Sequence, residues 1–302
     1  MTQAVLVGTT AAQPWRRLYP FEGRWVQVPA GRMHVVDEGP RDAPVMVLVH
    51  GNPTWSFYWR NVISALRHRY RVIAPDHLGC GLSDRPAHFS FRLAEHVDNL
   101  ARVLDALEID SYSLGVHDWG GAIGAGCALR APERVDRLAV FNTAAFRSRR
   151  IPSSIALCRW PLFGPLAIQG FNAFARVALL RCICRRERVT PELSSGYLDP
   201  YDGWQAREAL LRFVQDIPMR PEHPSWSTLT AIDEGLVALS GKPMLIMWGG
   251  QDFCFDRSFY EEWRRRFPQA EAHWLADCGH YVLEDAHEHI VPNLERLMER
   301  TS

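Results

Sequence analysis

An aspartate stands where a sharp strand-to-helix turn is expected: Asp118, in the stretch GVHDWGG at residues 115–121. A carboxylate at such a tip can attack an sp³ carbon in line and expel an anion, leaving an ester on the protein. It needs no base to activate it, since an ordinary carboxyl with a pKa of about 4 is ionised at neutral pH. Two later groups complete a set: Asp252 in GGQD and His280 in ADCGH. His280, oriented by Asp252, would activate water against the ester. Asn52 (in HGNPTW) and Trp119 offer an amide and an indole N–H to a departing anion. Their backbone N–H groups are expected to hold the second oxygen of Asp118. Plainer readings stand beside these. Asp118 suits a helix N-cap, Asp252 and Asn52 suit turns, Trp119 suits packing, and His280 is one of twelve histidines. His50 and His117 read as structural neighbours, and the loop from Asp76 through Gly79, Gly81, Ser83 and Asp84 reads as a brace.

Such groups converge only if parallel strands deliver them past their carboxyl ends. The runs VMVLVH (45–50), YRVIA (70–74), YSLGVH (112–117), RLAVFN (137–142), PMLIMWG (243–249) and EAHWLA (271–276) are continuous apolar strands of a sheet covered on both faces. Residues 24–39, RWVQVPAGRMHVVDEG, add an antiparallel hairpin with PAG as its turn. Helical spacing in 57–68, 93–109, 122–135, 258–267 and 287–300 alternates with the strands. The fold expected is a mostly parallel eight-stranded α/β sheet with helices on both faces. Alternation stops between 147 and 240, where aromatic helical segments are broken by LDPYDG and IPMRPEHPSW. The organisation expected is a core of residues 1–146 and 241–302 with an inserted helical cap, 147–240. Gly120 and Gly121 suit a turn pressed against neighbouring backbone, and Gly124 and Gly126 a helix close to the sheet.

Composition narrows the partners. The formal net charge is zero, which gives no nucleic-acid footprint. Seven scattered cysteines read as free thiols of a reducing cytoplasm. The opening MTQAVLVGTTAAQPWRR lacks the basic start of a secretory signal, and no apolar run reaches the roughly 18 residues a membrane span requires. No residue set calls for a metal or cofactor. The arginine clusters RSRR (147–150) and RCICRRERV (181–189) read as a solvated face, with a docking surface for partner enzymes as the alternative.

Taken together, HGNPTWSFYWR, DHLGCGLSDRP, VHDWGG, GGQD and CGH resemble the haloalkane dehalogenase branch of the α/β hydrolases, over roughly residues 20–146 and 241–300. Asp118, Asp252 and His280 then fall in that fold's order of nucleophile, acid and base. One subgroup binds halide with two tryptophans. A second takes its acid from the strand after the nucleophile, where this chain has Asn142 in FNTAAF. Asn52 and Trp119 combined with the late acid Asp252 resemble a third subgroup, which includes the β-lactone decarboxylases of bacterial olefin biosynthesis.

That resemblance implies decarboxylation of a cis-3,4-dialkyl β-lactone to a cis-olefin and CO2, with haloalkane hydrolysis as the alternative. Attack on the ring carbon bearing oxygen and attack on the lactone carbonyl both remain open. An apolar small-molecule substrate and other enzymes of an olefin pathway are the implied partners. Serine-hydrolase chemistry is disfavoured, because no serine occupies the turn. Fluoroacetate dehalogenases carry arginines where this chain has Trp119 and Gly120. Epoxide hydrolases need two cap tyrosines, for which Tyr197 and Tyr201 are the candidates. A non-catalytic receptor of the same fold is the remaining alternative.

Overall fold

The computed structural model describes residues 13–300. The first twelve residues, on which much of the secretory-signal reading rests, lie outside the described residues. Strands β1 (Gly23–Val28), β2 (Gly31–Glu38) and β3 (Val45–Val49) are followed by helix α1 (Arg60–Leu66) and strand β4 (Arg71–Pro75). Helix α2 (Leu93–Ala106), β5 (Tyr112–Asp118), α3 (Trp119–Ala128) and β6 (Val135–Thr143) come next. Helices α4 (Ser153–Cys158), α5 (Ala173–Arg181), α6 (Pro191–Leu198), α7 (Glu208–Gln215) and α8 (Trp226–Gly235) then precede β7 (Met244–Gly249). Helix α9 (Arg257–Arg266), β8 (Glu271–Leu275) and α10 (Val282–Glu299) end the described chain.

The eight strands form one sheet in the order β1-β2-β4-β3-β5-β6-β7-β8. Strand β2 runs antiparallel to both neighbours, and every pairing from β4 onward is parallel. The expected strands all form. Every residue of β4, β5 and β7 is buried, as unbroken apolar runs require when helices cover both faces. Strand β8 is half-buried along its length because it is the sheet edge.

Helix α2 buries Leu93, Val97, Leu100, Val103 and Leu104, a stripe at three-to-four-residue spacing laid on the core. In α3, Gly120, Gly121 and Gly124 remove bulk at the sheet, whereas Gly126, expected to do the same, faces Val97 of α2 and Ile232 of α8. A Cβ on Gly120 would collide with the Val49 carbonyl, so no larger residue fits there without moving β3 or α3.

Between β6 and β7 the described residues hold helices and no strand. Ile168, Tyr201, Leu210, Leu211 and Val214 make a small apolar core of their own. Buried polar links tie this stretch to the sheet region. Arg60 makes a two-pronged pair with Glu284, at 2.6 and 2.7 Å, and the Tyr197 hydroxyl donates to the same carboxylate. Asp285 accepts the backbone N–H groups of Cys184 and Arg185. No helix among the described residues is long and apolar enough to cross a membrane.

Candidate active site

Five neighbouring parallel strands end on the same side of the sheet, and the loops after them carry the candidate groups. In spatial order these are Asn52 after β3, Asp118 at the tip of β5, Asn142 near the end of β6, Asp252 after β7 and His280 after β8.

Asp118 has φ +52° and ψ −126°, a conformation that costs a non-glycine residue about 1–3 kcal/mol. The buried strand behind it and the helix in front hold it there, and the Thr143 hydroxyl donates to its backbone carbonyl. Its side chain therefore stands off the strand end rather than capping α3. One carboxylate oxygen accepts the Asn52 backbone N–H at 2.6 Å. The Trp119 backbone N–H makes no such bond, so only one of the two expected backbone donors engages. A Cβ on Gly51 would collide with the Asp118 carboxylate, which explains glycine before Asn52.

His280 lies beyond the other oxygen. Its Nε2 is 3.6 Å from Asp118 Oδ2, longer than a hydrogen bond and close enough for an ion pair. Its Nδ1 is 2.7 Å from Asp252 Oδ2. Burial opposes a charge on His280. The charge and hydrogen bond of Asp252, together with the nearby Asp118 carboxylate, outweigh it, lifting the imidazole pKa to about 10. Burial likewise pushes the Asp118 carboxyl up, but the adjacent His280 holds it below its ordinary value. Both directions favour an ionised Asp118 beside a protonated His280.

Asp252 has four donors. Its Oδ1 takes the backbone N–H groups of Cys254 and Phe255, and its Oδ2 takes His280 Nδ1 and Asn142 Nδ2. Asp252 is thus placed both to close its turn and to orient His280. Asn142 is the residue that sequence reasoning dismissed. The β5–β6 register jumps from His117↔Phe141 to Asp118↔Thr143, leaving Asn142 bulged out with φ +31°. A bulge re-aims a side chain. This one turns the amide toward Asp252 at 2.9 Å, while its oxygen accepts the Gly249 N–H at 2.8 Å. An asparagine at a strand end that elsewhere holds the acid was the available signal.

Two rings flank His280. Phe255 lies nearly parallel to it, 5.7 Å between centroids, and His117 lies 4.5 Å away and donates from Nε2 to the His280 carbonyl. Burial lowers the His117 pKa to about 3, so it stays neutral. His50 bonds Gly51 and His77, as a structural histidine does. Asp76 accepts His34 Nδ1 and the N–H groups of Ser56 and Leu82, and Ser83 bonds its carbonyl. That loop braces the segment after Asn52.

A cavity of about 880 Å³ of empty space opens over Asp118, Asn52 and Trp119. Its other walls are mainly apolar, among them Leu93, Phe146, Ile155, Phe174, Val214 and Phe259. Trp119, which lines the cavity, makes no hydrogen bond through its indole N–H among the described residues. Asn52 donates one amide N–H to the Leu210 carbonyl at 3.1 Å, leaving its second N–H for a ligand. Tyr197 and Tyr201 are both buried, bonded to Glu284 and to the Thr54 carbonyl, and neither lines the cavity. The pair of proton donors an epoxide hydrolase needs is missing from the cavity wall. All seven cysteines are free thiols.

Fold and strand-tip arrangement together define an α/β hydrolase with a carboxylate in the nucleophile position, and residues 44–174 match the family described as alpha/beta hydrolase fold. The chain belongs to the haloalkane dehalogenase-like family of that fold, in the group that includes the β-lactone decarboxylases. It is 40% identical to a cis-3-alkyl-4-alkyloxetan-2-one decarboxylase of Shewanella oneidensis, covering 94% of this chain and 90% of that one. A decarboxylase of the same name from Xanthomonas campestris is 41% identical, covering 93% and 97%. Among solved structures, a loop variant of a haloalkane dehalogenase from Bradyrhizobium elkanii superposes with a TM-score of 0.81 at 26% identity, covering 91% of this chain and 95% of that one.

Proposed function

We propose that this chain is a β-lactone decarboxylase that converts cis-3,4-dialkyl oxetan-2-ones to cis-olefins and CO2, with Asp118 as nucleophile. The observation that carries the reading is the likeness to two proteins of that name at 40% and 41% identity across more than nine-tenths of this chain. The site supports it with an ionised carboxylate facing an apolar cavity beside two free N–H donors.

In this reading Asp118 attacks the ring carbon bearing oxygen, forming a C–O ester bond and breaking the ring C–O bond. The released carboxylate lies against Asn52 and Trp119. The bond from carbon to that carboxylate then breaks, its electron pair forms the alkene, and the ester oxygen leaves with its own pair as the Asp118 carboxylate. Inversion followed by anti elimination returns cis geometry from a cis lactone. No proton and no water is consumed, so an imidazolium at His280 is compatible with every step and favours the return of negative charge to Asp118. Asp252, supported by Asn142, positions His280.

We further assign residues 1–146 and 241–302 to the core and 147–240 to a cap over the cavity. The reaction requires an enzyme that closes a β-lactone ring upstream, and the seven free thiols suit a cytoplasmic setting.

Haloalkane hydrolysis is the second reading, favoured by the dehalogenase superposition. Once Asp118 is esterified, the His280 imidazolium loses one carboxylate partner, its pKa falls, and it can act as a base. A paired assay separates the two. Olefin and CO2 from a long-chain cis-dialkyl β-lactone, with negligible bromide from 1-bromobutane, is the expected outcome. Rapid bromide release with an inert lactone reverses the order. In heavy-oxygen water the elimination route leaves Asp118 unlabelled, whereas ester hydrolysis labels it.

A further inference from the structure

The segment after β6 has an unusual charge pattern. Residues 147–186 contain eight arginines and no aspartate or glutamate, in a chain whose formal net charge is zero. Three of these pair with acids outside the segment: Arg147 with Asp233 and Glu234, Arg150 with Asp256, and Arg185 with Glu288. Arg149, Arg159, Arg176, Arg181 and Arg186 make no ion pair among the described residues.

The same stretch presents large apolar side chains outward. Leu162 is 88% exposed, Phe171 68%, Trp160 65% and Leu180 65%, with Phe163 and Leu166 also exposed. Helices α4 and α5 both pack on the turn at 165–170, so the elements that carry these side chains adjoin one another. On the inner side of the same elements, Ile155 and Phe174 wall the cavity. Water alone does not account for this surface, since clustered exposed apolar groups mark a binding face. Exposed tryptophan, phenylalanine and leucine in a segment whose only charged residues are arginines have the composition of a surface that lies on a bilayer.

We propose that this face docks the protein on an anionic lipid membrane, with α4 and α5 between the acyl chains and the cavity. Charge complementarity selects the occupant. Arginines that make no ion pair are attracted to anionic headgroups. A second copy of the same face would set those arginines against each other. The docking stands on the surface alone. That the bilayer supplies the apolar lactone and takes up the olefin rests on the proposed function.

The test is co-sedimentation of the full chain with vesicles of phosphatidylcholine, and of phosphatidylcholine mixed with phosphatidylglycerol. Binding is expected to be at least about ten-fold tighter to the mixed vesicles and to weaken as salt is raised. The double variant Leu162→Glu/Phe171→Glu is expected to lose about ten-fold or more of that binding while turning over a short water-soluble β-lactone like the parent. Arg176→Glu/Arg181→Glu is expected to lose the preference for phosphatidylglycerol. Absence of vesicle binding, equal binding to both vesicle types, or unchanged binding by the variants overturns the proposal. So does a parent that is dimeric in solution and becomes monomeric in the Leu162→Glu/Phe171→Glu variant, which assigns the face to self-association. Vesicle binding with an inert lactone overturns the functional reading alone, and lactone turnover without vesicle binding overturns the docking alone.

Discussion

The strand tips and the helices after β6 lie on either side of one cavity and are built in opposite ways. At the tips, the acid and the groups that support it are paired, and the donors left free face the cavity. Asp252 has four donors, and Asn142 uses both ends of its amide. Across the cavity, the outer helical face leaves five arginines without acids beside exposed tryptophan and leucine. Satisfied polar networks fix one geometry, whereas unsatisfied surfaces wait for a partner. One side is therefore organised for chemistry and the other for approach, and substitutions in the two should separate into those that change turnover and those that change access.

The largest separation is expected from Asp118→Asn. The amide is nearly isosteric and cannot form the ester, so turnover of the lactone should fall by about a thousand-fold or more. Vesicle binding should stay at the parental level. A variant retaining substantial olefin formation would remove Asp118 from the nucleophile role and with it the distinction drawn above.

Next in size is the support of the acid. Asn142→Leu leaves Asp252 Oδ2 with one donor and the Gly249 N–H without its acceptor, both in a buried site. Loss of such a neighbour to a working group costs roughly 10–100-fold in activity, expected here in kcat rather than KM. The unpaired buried N–H should add about 1–3 kcal/mol of destabilisation. The exchange Asp252→Asn with Asn142→Asp is expected to recover part of the activity that Asp252→Asn loses, because Asn142 and His280 Nδ1 meet at the same Asp252 oxygen. Steady-state kinetics of the two singles and the double decide it, and a double no better than Asp252→Asn sinks the idea.

How far the sequence told this in advance differs between the two sides for the same physical reason. The sheet was legible because strands covered on both faces must be continuously apolar, and a carboxylate at a glycine-flanked turn has few other uses. Asn142 was missed because its importance comes from a register jump between β5 and β6, and a one-residue bulge leaves no periodic trace. Phe255 was missed because stacking on His280 depends on how the 252–255 turn closes. The arginine clusters were visible, and both readings given for them, a solvated face and a docking surface, place them outside. Nothing in the sequence marks apolar neighbours such as Leu162 and Phe171 as facing outward, and only the fold places them there.

Acid and base sharpen the contrast more gently. Asp118 has a lowered pKa, so its contribution to stability is present above its unfolded value of about 4 and is lost as pH falls through the folded one. His280 is raised to about 10, so its contribution is full below its unfolded value of about 6.5 and declines as pH rises toward 10. The parent should therefore lose stability between about pH 6.5 and 10, and Asp118→Asn should flatten that decline by removing one carboxylate that raises His280. Denaturant unfolding at a series of pH values measures it. Leu162→Glu/Phe171→Glu, on the other side of the cavity, should leave the slope as in the parent. Equal slopes in parent and Asp118→Asn would mean that the two groups do not share a charge interaction.

Phe255 is where the two regions meet, since it belongs to the turn that carries Asp252 and also lines the cavity. Its ring lies over His280, the group that would direct water onto an ester at Asp118. If the elimination route operates, water at that point is a competitor, and an apolar ring over the imidazole keeps it out. Phe255→Ala leaves the Asp252 contact to the residue 255 backbone N–H intact and opens space for solvent. The expected result is a few-fold rise in the share of lactone leaving as hydroxy acid instead of olefin, with total turnover changed less than in the Asp118 and Asn142 variants. Product analysis by gas chromatography, with heavy-oxygen water to mark the hydrolytic fraction, reads the partition directly. An unchanged partition would mean that water is excluded from the helical side of the cavity, and would move the control of reaction outcome from the strand tips to the segment between β6 and β7.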